Sequence, residues 1–525
     1  MSARIQTKRA VGLGLLLGVV SFWMLFGFER AVGIAPSYTW PMGDQAQHIA
    51  GAYAYLDGKW GFPLFTTDRI NQPAGVNIIF TDSAPFAGLL AKLLYSLTGI
   101  RFNYLGAWFC ILWIGQATAG AYLFKQFCPR HPVMYVCGAM FALAWPAFLI
   151  RHFHLALGSH FLLLLSLGFY FSAQRAKSPW TQVMLWTPLL GIALWTHAYL
   201  FVMCFAIYFA GQADYFRTQP KSRIHVVESS AFVVTFCVAL GLIGGYQTVG
   251  NVNAVGYGAF RLDLIAYVWP HGSAIFEAPN ILDPQSAFEG FNYLGFGGIS
   301  ILVSGLMLIR SRHLLLIWRQ YRVLTICIIG MLAFAVTNLI SVGGHVILSL
   351  PIRTAEFPFS TFRASGRFGW TFGYVIVFCG LGLIARTIWD YSRAAAIGAV
   401  SLLCAIQVWD TTALLRGMQE GGRSTPKPMF EAAIQRAETV IFTPPIDCLP
   451  VGPVQTSAIE VLAISARLGK PTNSAHTARV GELDCDARQS ISKEDLVVAD
   501  PNGDAATHYR SAMRCATEAG LLLCN

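Results

Sequence analysis

Two carboxylates and a set of imidazoles and guanidiniums stand out in a chain that is otherwise apolar. Asp44 and His48 lie four apart in GDQAQH, a spacing that puts both on one face of a helix. Asp82 follows in TDSAPF. A carboxylate at the outer mouth of a helix bundle suits general-base work when partial burial tunes its pKa. The competing role is helix capping: Asp44 would satisfy backbone amides at a helix start, and Thr81, Asp82 or Ser83 would cap a helix that Pro85 opens. In RHFHLALGSH, Arg151 accompanies His152, His154 and His160, groups that bind a divalent metal, contact a phosphate or anchor at an interface. The i, i+2, i+8 histidine spacing matches no tight metal site, and His197 and Tyr199 in WTHAY form a further polar pair or part of an aromatic belt. FRASGRFGW sets Arg363 and Arg367 four apart, suited to bidentate phosphate recognition, to lipid headgroups or to a salt bridge with an acid such as Glu356.

The elements that must position these groups are membrane helices. Of 525 residues 55% are hydrophobic and 12% charged, with a mean hydropathy of +0.52; soluble domains carry about 25% charged residues. Apolar runs predict helices near 10–28, 102–124, 133–149, 160–174, 181–196, 198–213, 228–246, 293–310, 322–341, 369–388 and 394–411, giving eleven crossings. The net charge of +10 gathers in short loops such as SARIQTKR, KQFCPRH, QRAK and RTQPKSR, so it sets topology and calls for no nucleic acid. The N-terminus is expected inside, with an uncleaved first helix. APFAGLLAKLLYSLTGI (84–100), with Lys92 at its middle, reads as an amphipathic helix at the outer interface. With it uncounted, every basic loop falls inside, and the acids, histidines and arginines share the outer face.

Residues 1–411 form the expected transmembrane catalytic domain, and 412–525 a small α/β extracytoplasmic domain after a linker at RSTPKP. Of twelve cysteines, seven lie in predicted helices and Cys128 in a basic loop. Cys448, Cys485, Cys515 and Cys524 are confined to the C-terminal domain, an even set that predicts two disulfides in one of three pairings.

GDQAQH, TDSAPF, HLALGSH and RASGRFGW, set on an N-in first helix and a long first external loop, resemble the GT-C glycosyltransferases, and more narrowly a bacterial branch of that superfamily. The resemblance covers about residues 1–411. It implies an all-α polytopic fold in a bacterial inner membrane, with juxtamembrane helices in the first external loop and the C-terminal domain in the periplasm. It also implies inverting transfer of a sugar from a polyprenyl-phosphate donor to a glycan, lipid or protein acceptor among membrane lipids, as in cell envelope polysaccharide. Asp44 would then be the general base, with Asp82 as its catalytic partner, and Asp82 and His160 would position the acceptor or a metal. Arg363 and Arg367 would hold the donor phosphate, with His48, His152, His154, His197 and Tyr199 as further substrate-binding groups. The first loop lacks the paired acids of metal-dependent members, so no metal ligand is assigned and metal-independent transfer is expected, a divalent metal being the alternative. A flippase of lipid-linked sugars fits less well, because no repeat is visible and the ionisable groups cluster at one face; a surface-polysaccharide polymerase or ligase shares the lipid-phosphate chemistry.

Overall fold

The computed structural model describes residues 3–151, 153–173, 179–218, 224–244, 256–354, 357–420, 427–477, 484–486 and 491–525. His152, Glu356, the basic loop at 174–177 and most of the expected linker lie outside the described residues.

Each apolar run predicted as a crossing coincides with a helix, from Ala3–Ala31 through Tyr104–Phe124 to Gly369–Trp389 and Arg393–Asp410. Among the described residues, four helices are long and apolar enough to cross a membrane, or up to five if the pair Phe296–Leu308 and Ser311–Gln320, bent by 104°, forms one span. Shorter apolar helices account for much of the rest, and the breaks have local causes. Pro146 divides the run 133–149 into Pro132–Leu143 and Pro146–Leu149, because proline cannot donate the helical hydrogen bond. The run 322–341 ends as a helix at Val336. Leu339–Val342 then pairs antiparallel with His345–Ser349 around Gly343 and Gly344, whose φ values of 59° and 81° suit a tight hairpin. Asp263 fastens that turn, its two carboxylate oxygens accepting from Gly343 N at 3.0 Å and Gly344 N at 2.9 Å.

Close backbone approach fixes the first helix against Tyr104–Phe124. A Cβ at Gly14 would meet Thr118 Cα at 2.7 Å and one at Gly18 would meet Ile114 Cα at 2.9 Å, so only glycine fits this small-residue seam. The opposite face leaves Leu16 60% and Met24 80% exposed, as a lipid-facing surface requires. On Pro85–Thr98, Lys92 is buried and donates to Lys59 O at 3.1 Å, while Leu90, Leu93, Leu94 and Leu97 are exposed. The lysine therefore turns into the protein and the leucines turn outward.

The C-terminal segment folds as a mixed four-stranded sheet. Val440–Thr443 pairs parallel with Leu496–Ala499, which pairs antiparallel with Leu521–Cys524, and Cys515–Glu518 closes the order. Disulfides join Cys448 to Cys485 and Cys515 to Cys524. The helix Pro453–Arg467 packs on Asp44–Asp57. Arg101 locks the two together, gripping Asp57 through two 2.7 Å contacts and donating to the carbonyls of Ala466 and Arg467.

Candidate active site

The first-loop acids are held by two different devices. Gly43, at φ 56°, turns the chain so that Asp44 begins the helix Asp44–Asp57, and no side chain caps its N-terminus. Asp44 is exposed, and His48 lies buried one turn further on. Asp82 sits in the left-handed region at φ 54°, a conformation that costs a non-glycine residue about 1–2 kcal/mol. Its neighbours hold it there. Thr81 Oγ1 donates to Ile78 O at 3.0 Å, Ser83 Oγ to His48 O at 2.7 Å, and Tyr104 Oη to Ser83 O at 2.6 Å. Gly51 leaves room for this turn, since a Cβ there would run into the Thr81 and Ser83 hydroxyls. The helix that follows takes Ala84 as its N-cap with no side-chain bond, so neither Asp44 nor Asp82 serves as a cap. Strain of this kind, kept by a surrounding network, is a mark of functional sites.

His154 bridges the two carboxylates. Its Nε2 lies 3.0 Å from Asp44 Oδ2 and its Nδ1 3.3 Å from Asp82 Oδ2. His48 Nε2 is 3.5 Å from Asp82 Oδ2, and His197 Nε2 is 3.8 Å from Asp82 Oδ1. Burial would strip the proton from His154, but its contacts with Asp44 and Asp82 outweigh burial and push its pKa up to about 9. The His154 contact in turn holds Asp44 well below the usual carboxylate range. Burial would raise Asp82, yet His154, His197 and His48 bring it down to about 2. Burial dominates at His197, lowering it to about 4 against the pull of Asp82, and it lowers His48 as well. At neutral pH the cluster therefore holds two carboxylates, one imidazolium and two neutral imidazoles.

A pH dependence follows with a definite sign. The folded pKa of His154 lies above its ordinary 6.5, so its contribution to stability is complete below about pH 6.5 and is lost as pH rises through about 9. The gap in unfolding midpoint between the wild-type protein and His154→Gln should be steady up to about pH 6.5 and shrink from there to about pH 9. A gap that widens over that interval would show that His154 is neutral in the folded protein.

Next to this cluster, Glu289 gathers two arginines. Arg367 donates to it from Nε at 2.9 Å and Nη2 at 2.7 Å, and Arg151 Nη2 lies 3.0 Å away. Burial would raise the Glu289 carboxyl, but Arg151 and Arg367 hold it well below its ordinary range. Arg151 is wholly buried under Phe288 and Trp370, with Nη2 donating to Phe288 O at 2.6 Å, while its Nε and Nη1 have no hydrogen-bond partner among the described residues. Buried guanidinium donors left unmatched point to a missing anion or water.

The remaining residues singled out in the sequence divide. His197 joins the carboxylates, and its Nδ1 accepts from Tyr199 N at 3.2 Å. Tyr199 Oη accepts from Ala364 N at 2.9 Å, with the Arg367 guanidinium 4.8 Å over its ring. His160 stands apart from the acids, its Nδ1 3.0 Å from Tyr374 Oη and its ring 4.3 Å from that of Trp370. Arg363 and Arg367 lie on different neighbours. The chain between them enters a 3₁₀ turn, Ser365–Phe368, where four-residue spacing does not align side chains, and Arg363 packs 5.7 Å from the Phe260 ring. The acid that pairs with Arg367 is Glu289. That residue carried no local signal beyond closing a short helix that Pro284 opens. His48, Asp82 and His154 each bring a ligand atom to within 4.8 Å of the others, a candidate metal group assembled from distant segments that spacing along the chain did not disclose.

The fold and this cluster define a helical membrane protein whose polar site is gathered from the loops between its apolar helices. The chain belongs to the family described as "Domain of unknown function (DUF6311)", which matches residues 15–412. Among solved structures it is similar to the Archaeoglobus fulgidus oligosaccharyltransferase in complex with Zn and sulfate, at 13% identity and a TM-score of 0.48 over 89% of this chain and 62% of that one. It is also similar to ArnT from Cupriavidus metallidurans bound to undecaprenyl phosphate, at 11% identity and a TM-score of 0.45 over 100% and 98% of the two chains. The chain spans 62% of the length of that oligosaccharyltransferase. No curated protein sequence matches it.

Proposed function

We propose that this protein is a GT-C-type glycosyltransferase that moves a sugar from a polyprenyl-phosphate donor to an acceptor at the outer face of a bacterial inner membrane. In this reading eleven segments cross the membrane, the N-terminus is cytoplasmic and the C-terminal domain periplasmic. The observation that carries it is Arg151, buried with two unmatched donors beside a carboxylate–histidine cluster, because lipid-phosphate glycosyl transfer needs a cationic pocket next to a base.

The acceptor hydroxyl gives its proton to Asp44, the more exposed of the two acids at 53% against 14% for Asp82. The acceptor oxygen bonds to the anomeric carbon from the face opposite the phosphate, with inversion. The bond from that carbon to the phosphate oxygen breaks, and the electron pair leaves on the polyprenyl phosphate. Its charge develops against Arg151 and Arg367, which take the phosphate role that the sequence suggested for Arg363 and Arg367. Asp82 fixes His154, and His154 must loosen from Asp44 for that carboxylate to recover its basicity. The His154 imidazolium gives the cluster a positive charge without a metal. Two imidazoles and a carboxylate nevertheless fit a divalent cation such as Zn²⁺, held by His48, Asp82 and His154. When bound, such an ion would supply positive charge toward the leaving phosphate.

Undecaprenyl phosphate, the product side of this reaction, tests the arginine pocket. It should bind the purified protein saturably by tryptophan fluorescence, and Arg151→Gln should weaken that binding by roughly ten- to a hundredfold, the worth of hydrogen bonds to a charged group. Equal binding by the variant would remove Arg151 from the phosphate site.

A further inference from the structure

The helix Ser311–Gln320, SRHLLLIWRQ, contains no buried residue. Leu314, Leu315, Leu316, Ile317 and Trp318 are all exposed. At the helical repeat Leu314, Leu315, Ile317 and Trp318 fall on one side, and Arg312, His313, Arg319 and Gln320 on the other, with Leu316 among them. Arg310 and Arg322 flank the helix, and all four of these arginines are exposed.

This bare helix is nevertheless firmly mounted. Arg217 Nη2 donates to Arg319 O at 2.7 Å, satisfying one of the carbonyls that a helix C-terminus leaves open. Asp214 accepts from Val323 N at 3.2 Å and Leu324 N at 3.4 Å, and so holds the start of the next helix, Arg322–Val336. Asp214 is itself buried and accepts from Tyr170 Oη at 2.7 Å. Two residues of Ala198–Thr218 thus fix the corner from which Ser311–Gln320 extends, while its own side chains stay uncovered.

The mount sets the helix at the far end of the bundle from the acids. Ala198–Thr218 begins beside His197, and its 21 residues span about 30 Å. That is the thickness of a bilayer's hydrocarbon core. Phe296–Leu308 runs from the Glu289 side of the molecule, and the 104° bend after it turns Ser311–Gln320 nearly across that direction. A helix lying across the ends of apolar helices, apolar on one side and cationic on the other, has the form of a segment that rests in a membrane interface.

We propose that Ser311–Gln320 is a lipid-binding helix on the leaflet opposite the site, with its leucines and Trp318 in the acyl boundary and Arg310, Arg312, Arg319 and Arg322 on the phosphates of anionic phospholipids. The charge selects the occupant. Residues 310–322 carry these four arginines and no acid, a cationic strip that complements an anionic surface and that a zwitterionic one does not match. The Arg322 guanidinium lies 5.2 Å over the Trp318 ring, which joins the apolar anchor to a headgroup ligand. In the proposed topology this leaflet is the cytoplasmic one. The proposal involves neither sugar donor nor acceptor, so it stands or falls apart from the transfer reaction.

The experiment reads hydrogen exchange of the peptide covering 311–320 by mass spectrometry, with the full chain in nanodiscs of phosphatidylcholine alone or mixed with phosphatidylglycerol. Exchange should be at least about tenfold slower in the mixed bilayer, since each arginine near an anionic surface is worth roughly fivefold. The triple variant Arg310→Gln, Arg312→Gln, Arg319→Gln should exchange alike in both bilayers. A control that also removes three exposed charges, Arg4→Gln, Lys8→Gln, Arg9→Gln on the first helix, should keep the wild-type difference. High salt should erase that difference in the wild-type protein by screening, an arm that needs no variant. One rate for the wild-type protein in both bilayers overturns the proposal, whether fast, as for a face kept for a protein partner, or slow, as for a segment sunk in the membrane. Slowing that survives the arginine triple or high salt overturns it too, and an equal loss in the control triple would mark a response to total charge alone.

Discussion

Asp44→Asn should slow release of undecaprenyl phosphate from an undecaprenyl-phosphate-linked sugar by roughly 10²–10⁴-fold, the range that general-base catalysis supplies. The amide keeps the size of the side chain but cannot take the acceptor's proton. Asp44 does not cap its helix, and its side chain is half exposed, so the substitution should lower the unfolding midpoint only by the share of the His154 contact that Asp44 supplies, less than His154→Gln does. His154 loses one of its two carboxylates and its pKa should fall toward the ordinary value, because Asp82 alone then opposes burial. A variant that turns over like wild type would move the base elsewhere in the cluster. A variant that is slow but destabilised more than His154→Gln would return Asp44 to a structural role.

Glu289→Ala should be the most destabilising single change at the site, by about 3–5 kcal/mol, because it strips the shared carboxylate from two buried guanidiniums. Arg151 is fully buried at its side chain, and Arg367 is 11% exposed. Water therefore cannot readily replace the lost partner. The double substitution Glu289→Ala with Arg151→Met should recover part of that loss by removing one orphaned charge, a coupling read from urea unfolding of the single and double variants. If the single variant unfolds within about 0.5 kcal/mol of wild type, the ordinary range for a surface change, the two arginines are not held by this carboxylate.

Much of this architecture was legible from composition, because an apolar run long enough to cross a bilayer has few other uses, and each predicted run does lie on a helix. Legibility fell where local chemistry competes with hydropathy. Pro146 breaks one run, and the Gly343–Gly344 turn converts the end of another into a hairpin. In the site, Asp44, His48 and Asp82 could be picked out because charged or titratable groups are conspicuous beside apolar helices. The bridging role of His154 could not, since its partners are set by the folding of three separate segments. Capping looked the simpler role for Asp82 until its positive φ and the unbonded N-cap at Ala84 removed it. The ion pair of Arg367 with Glu289 could not be read from the local spacing of Arg363 and Arg367, since Glu289 lies in another loop. Glu289 was invisible because its two partners, Arg151 and Arg367, lie in separate loops far along the chain.

Phosphorus NMR of an undecaprenyl-phosphate-linked sugar incubated with the purified protein tests the central claim most directly. The account predicts that the phosphodiester resonance of the donor gives way to the monoester resonance of undecaprenyl phosphate, and that the Asp44→Asn protein leaves the diester in place over the same time. A diester signal that persists with wild-type protein across a panel of sugars, or one lost equally fast with Asp44→Asn, would contradict it.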